Sequence, residues 1–190
     1  VDFVLLATGI SPNVQLAKSA GIKIGKTGGI RVNQKLETNI PDIYAVGDCT
    51  ETMHLVTGKP VWFPLATISN KHGRVAGINV TGGNDQFPGI VGTFVVKVFD
   101  WTVAKTGLSE KEAVENGFET ESIIVPSYDK AHYFPGAKRI IIKLIAEKTG
   151  GLLLGAEIIG DGVVDKRIDV VAATLTGKTT VDQLSKYDLS

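Results

Sequence analysis

A short apolar run that stops at a glycine and a carboxylate, Thr38 to Asp48 (T-N-I-P-D-I-Y-A-V-G-D), constrains this chain more than any other stretch. Ile43 to Val46 read as a fully buried strand, fed by a turn at Pro41 and Asp42. In an open α/β sheet, ligands bind at the carboxyl ends of the strands, where the loops diverge and leave a crevice. Gly47 has no Cβ, so a phosphate or sugar can approach its backbone. Asp48 only accepts hydrogen bonds when ionised, which suits a polyol hydroxyl. From the residues alone, the alternative is a core strand whose aspartate caps the next turn.

The rest of the first half supports such a layer. Val1 to Leu6 is an extended apolar run meeting Ala7-Thr8-Gly9, and Val14 to Ala20 is a short helix closed by Gly21. Ile22 to Ile24 and Gly29 to Val32 read as two short strands around the Gly25 to Gly28 turn. Pro64 to Val80 is predicted helical, with Leu65, Ile68, Val75, Ile78 and Val80 mostly on one side and Pro64 in the first turn.

Gly82 to Gly89 is loop chemistry and marks the expected domain boundary, giving domains 1–88 and 89–190. Beyond it the pattern changes. Thr93 to Asp100 and Thr102 to Thr106 form a predicted hairpin, and Glu121 to Val125, Arg139 to Ala146 and Leu152 to Ile159 are further strands. Ser109 to Glu112 and Thr180 to Gln183 are capping boxes, each opening a helix, and Val163 to Gly177 is a helix with Ile168, Val171, Ala172 and Leu175 on one face. Strands and helices without β-α-β alternation make an α+β layer with an antiparallel sheet.

Thr38 to Asp48 resembles the second FAD-binding motif of the pyridine nucleotide-disulfide oxidoreductases. The opening V-x-L-L-A-T-G-x-x-P-N is similar to the block where that family's chain returns from the NAD-binding to the flavin domain. L-A-T-x-x-N-K-x-G-R-x-A-G-x-N resembles the family helix whose N-terminus points at the flavin pyrimidine. The resemblance implies that residues 1–88 are the C-terminal part of an FAD-binding α/β domain and 89–190 a dimerisation domain. It assigns Asp48 to the ribityl and pyrophosphate part of FAD, and places Gly47, Pro64, Leu65, Ala66 and Thr67 at the same site. Asp165-Lys166-Arg167-Ile168-Asp169 resembles the D-K-R-I-D of the single-cysteine branch, which comprises coenzyme A-disulfide reductases, NADH oxidases and NADH peroxidases. Without the family, those charges read as a solvated helix face. Ala131 to Ala137 resembles the Y-Y-P-G segment of coenzyme A-disulfide reductases, with Phe134 replacing the second tyrosine. By that resemblance Tyr133 reaches across a homodimer to the partner's active site, where a phenol can hydrogen-bond a developing thiolate.

Composition narrows the classes. Twenty basic and twenty acidic residues leave no net charge, so nothing points to nucleic acid or an anionic membrane. The longest apolar runs fall far short of the roughly 20 residues a membrane span needs. A single cysteine excludes an intrachain disulfide framework and fits a reducing, cytoplasmic compartment. Cys49 itself reads as a small buried residue beside the cofactor site, and His54 and His72 have no second ligand at metal spacing. The expectation is a C-terminal fragment of an FAD-dependent NAD(P)H oxidoreductase of the coenzyme A-disulfide reductase type, whose acceptor is coenzyme A disulfide, dioxygen or peroxide. The G-x-G-x-x-G and redox cysteine of such an enzyme lie outside this chain, so the fragment is expected to be inactive alone and to bind FAD poorly. The alternatives are the NADH oxidase or peroxidase type and a non-catalytic oligomerisation module.

Overall fold

A computed structural model describes residues 1–189. They fall into two compact units: Val1–Met53 with Lys59–Gly89, and His54–Gly58 with the chain from Ile90 onward.

In the first unit, α1 (Gln15–Ser19) ends in a Schellman pair, Gly21 N–H to Lys18 O at 3.1 Å and Ile22 N–H to Ala17 O at 2.9 Å. Ala17 packs with Val14, Ile30 and Ala45. The two strands expected around residues 25–28 reduce to a single bridge, Ile24 to Ile30, and Ile30 also bridges Thr50 in parallel. The predicted strand at Ile43 to Val46 is likewise absent: Tyr44 bridges Glu37, Ala45 is buried, and Ile43 and Val46 are exposed. Val1 to Leu6 forms no strand either, and Phe3 and Leu5 lie open at 84% and 80%. The physical reason is common to these stretches. An extended run becomes a strand only when a neighbour satisfies its backbone, and beyond these single bridges the described residues of this unit form one ladder, β1 (Thr52–Met53) with β2 (Pro60–Val61).

α2 (Ala66–Val80) starts one residue after its N-cap Leu65, so Pro64 precedes the helix instead of lying in its first turn. Its buried stripe is Ile68, His72, Val75, Ala76 and Asn79, while Ile78 and Val80 face outward, against expectation. Two polar residues, His72 and Asn79, occupy that stripe, and the Asn79 amide is hydrogen-bonded through both its nitrogen and its oxygen. Asn79 Nδ2 donates to Lys35 O at 3.0 Å and Asp85 O at 2.9 Å, and its Oδ1 accepts from Asp85 N–H at 2.7 Å.

The second unit holds a five-stranded antiparallel sheet in the order β3-β4-β7-β6-β5. Its strands are β3 (Phe94–Val98), β4 (Trp101–Gly107), β5 (Thr120–Tyr128), β6 (Arg139–Glu147) and β7 (Leu153–Gly160). The predicted antiparallel α+β arrangement is present. α4 (Asp165–Thr176) lays Ile168, Val171 and Leu175 on Ala104, Ile140, Ala156 and Ile158 to form the main core. Both capping boxes form, Ser109 with Glu112 at α3 (Glu110–Glu115) and Thr180 with Gln183 at α5 (Val181–Leu184). Gly155, the third residue of β7, lets the Leu108 backbone lie directly against it: a Cβ there would stand 2.0 Å from Leu108 O.

Candidate functional site

Val46 leads into a single 3₁₀ turn, Gly47–Cys49, that presents Asp48 at the surface. Gly47 takes φ +77°, a left-handed value that an L side chain resists, and a Cβ would come within 3.2 Å of Ser69 Oγ. Three partners hold this turn against α2 and the loop before it. Ser69 Oγ donates to Asp48 Oδ1 at 2.8 Å, Trp62 Nε1 donates to Asp48 O at 2.7 Å, and Gly47 N–H donates to His72 Nδ1 at 3.3 Å. Thr50 Oγ1 closes the turn by donating to Gly47 O at 2.8 Å.

Asp48 therefore lies by the first turns of α2, through Ser69. That helix has no side-chain N-cap bond and no acidic residue in its first turn. The N–H groups of Ala66 and Thr67 lack intrahelical acceptors, both residues are exposed, and the helix end carries a partial positive charge. Donors and an acceptor are thus offered side by side, an arrangement suited to a ligand with both anionic and hydroxylated parts. Gly47, Asp48, Leu65, Ala66 and Thr67 belong to these connected elements, with Pro64 on the loop that enters α2.

His72 is 1% exposed. Its Nδ1 faces the Gly47 N–H, so the ring is the neutral tautomer protonated at Nε2, and burial lowers its pKa from 6.5. Nε2 has no hydrogen-bond partner, and the ring stands edge-on to Phe87 at 4.5 Å. Cys49 is half-buried, its thiol donating to Val46 O at 3.4 Å. Burial pushes that thiol up and the Asp48 carboxylate adds to the effect, the reverse of what a nucleophile needs. Among the described residues no group of His, Cys, Asp and Glu could hold a metal ion.

The second candidate, Tyr133, stands on the loop joining β5 to β6. Its side chain is 75% exposed, tilted against Phe134 at 5.3 Å with His132 edge-on at 5.8 Å. Ser69, Trp62 and His72 are the site's supporting residues that the sequence reading missed. Only the fold shows that they converge on Gly47 and Asp48, and an aromatic, a hydroxyl and an imidazole on or before a helix carry no signal of that. A cleft of the first unit, about 1090 Å³, is lined by Lys23, Arg31, Lys35, Glu51 and Phe87 among others and does not include Asp48.

Comparison with known proteins gives a consistent picture. A family model described as pyridine nucleotide-disulphide oxidoreductase matches residues 1–71, and one described as that family's dimerisation domain matches residues 93–187. The chain is 45% identical over 189 residues to a Pyrococcus furiosus protein named NAD(P)H sulfur oxidoreductase (CoA-dependent), covering 100% of this chain and 42% of that one. A solved NAD-dependent persulfide reductase from A. fulgidus superposes with a TM-score of 0.94 at 48% identity, covering 97% of this chain and 34% of that one. The crystal structure of reduced Bacillus anthracis CoADR-RHD gives 0.93 at 40% identity, covering 100% of this chain and 34% of that one. The chain spans about two fifths of the length of the curated relatives it matches.

Proposed function

Because the chain belongs to the pyridine nucleotide-disulphide oxidoreductase family, we propose that it is the flavin-contacting and dimerising part of an FAD-dependent NAD(P)H oxidoreductase of the coenzyme A-disulfide reductase type. The names of its relatives support a coenzyme A-linked sulfur acceptor. The single cysteine fits a cytoplasmic setting. No helix among the described residues is long and apolar enough to cross a membrane.

Bound FAD would take a hydride from NAD(P)H and pass the electron pair on to a sulfur acceptor. This chain's own residues bind and orient. Asp48 accepts from hydroxyls of the cofactor's sugar chain, and Gly47 keeps the approach free of side chains. The start of α2, at Leu65, Ala66 and Thr67 with Pro64 on the loop that enters it, directs N–H donors and partial positive charge at an anionic part of the cofactor. The second unit pairs with its copy in a homodimer, and Tyr133 hydrogen-bonds a thiolate in the partner's site.

The observation that carries this reading is the exposed Asp48 carboxylate, tied through Ser69 to a helix start that no side chain caps. Asp48→Ala in the whole flavoprotein is expected to strip most of the bound flavin, read from its visible absorbance, while solution mass stays that of a dimer. Unchanged flavin content overturns the assignment. NADH consumption that tracks dioxygen instead of coenzyme A disulfide would move the protein to the oxidase type.

A further inference from the structure

The charges of the D-K-R-I-D run, expected to be a solvated helix face, include Arg167, which reaches a residue to which the sequence reading gave no role. Asp129 follows the last residue of β5 and is 8% exposed, although the loop it opens lies in solvent. Its carboxylate clamps two segments. Oδ1 accepts from Lys138 N–H at 2.9 Å, at the far end of the loop, and Oδ2 accepts from Val163 N–H at 3.1 Å, just before α4. Asp129 N–H donates to Lys138 O at 3.0 Å, so the loop is closed at its neck by backbone as well. Arg167, from the first turn of α4, donates through Nη2 to Asp129 O at 3.0 Å. Lys138 Nζ donates to Asp161 O at 3.0 Å and lies 3.5 Å from Asp161 Oδ2. Gly162 completes the packing, since a Cβ there would stand 2.7 Å from Asp129 Oδ2. The backbone donors at Lys138 and Val163 hold the Asp129 carboxyl below the usual carboxylate range, with Lys130 adding to the effect.

The contrast with the tip is sharp. Between Asp129 and Lys138 the backbone makes two turn bonds, Phe134 N–H to Ala131 O at 2.9 Å and Ala137 N–H to Phe134 O at 3.1 Å, and the 75% exposed Tyr133 rests against the rings of His132 and Phe134. A group that must meet reacting atoms on another subunit has to be aimed by a rigid base, because an ångström of misplacement is costly in rate. We propose that Asp129 is a positioning residue which, with Arg167 and Lys138, fixes the direction in which the β5–β6 loop presents Tyr133 to the sulfur site of the partner subunit. This inference rests on the reading of Tyr133 given above.

The test uses the whole homodimeric flavoprotein and this chain in parallel. In the flavoprotein, Asp129→Ala is expected to lower kcat for coenzyme A disulfide by on the order of ten- to a hundredfold. NADH-dependent bleaching of the flavin should keep its rate, and adding Tyr133→Phe should bring no further loss. In this chain, hydrogen exchange at the Lys138 and Val163 amides should accelerate in Asp129→Ala while the β6 amides stay protected. Should Asp129→Ala not fold, Asp129→Asn, which keeps Oδ1 and turns the other oxygen into a donor, is held to the same criteria. If Tyr133→Phe slows disulfide turnover and the Asp129 variants do not, positioning is refuted while the tyrosine's role stands. Bleaching slowed as much as turnover would make Asp129 a general support of the fold, and the proposal fails. If Tyr133→Phe itself leaves turnover unchanged, the underlying reading falls and takes the positioning role with it.

Discussion

His72 shows how much of the Asp48 turn depends on one unprotonated nitrogen. Protonation would set an N–H on Nδ1 against the Gly47 N–H that it now accepts, in a site with 1% exposure. Its folded-state pKa lies below 6.5, so the unfolded chain binds the proton more readily. The stabilisation is complete above 6.5 and is lost as the pH falls from there through the folded pKa. His54, also buried and lowered by burial, acts with the same sign. Thermal melts should therefore show Tm falling below pH 6.5, and His72→Gln should flatten that fall. Asn79→Ala removes a side chain that ties α2 to Lys35 and Asp85, and is expected to cost about 2 to 3 kcal/mol in urea unfolding. Neither residue was legible as core. Apolar periodicity placed Ile78 and Val80 inward, and the buried stripe instead runs through an imidazole and an amide that find partners on other segments.

At the scale of elements, legibility follows whether an element carries its partner within the chain. The second unit's strands are rich in β-branched and apolar residues and pair with each other within the chain, so their existence and antiparallel sense could be read from the residues. The capping boxes could be read too, because they are local by construction. Val1 to Leu6 and Ile43 to Val46 have equally strand-like composition and no strand to pair with among the described residues, so composition misled. Packing density was not legible at all. Nothing around Gly155 marks it as the place where the Leu108 backbone, continuing from β4, lies against β7, with N and O at 2.6 and 2.0 Å from an added Cβ. Since the obstacle is backbone and cannot rotate away, Gly155→Ala should lose at least about 3 kcal/mol, measurable as a lowered denaturation midpoint. Ser109→Ala, which removes the cap of α3, should lose about 1 kcal/mol in the same assay.

For the molecule as a whole, the chain on its own is expected to purify without flavin absorbance and without diaphorase activity, yet to show a dimer's mass in solution. A yellow, active preparation or a monomer would each contradict one half of that expectation. The motifs around Asp48 and Tyr133 made the family visible, but the threading of the chain was not. His54–Gly58 belongs to the second unit while the residues on both sides of it belong to the first. Leu55 N–H donates to Ile90 O at 2.8 Å, and Leu55 and Val56 pack on the core beneath α4. Five residues with no periodicity carry no sign of such a destination until β4, β7 and α4 exist to receive them. The backbone therefore changes allegiance three times, and one crossover in the gene cannot swap the units between homologues. A chimaera joined at Gly89 would bring a foreign plug to a native socket, so recombination in this family should succeed only where both pieces travel together.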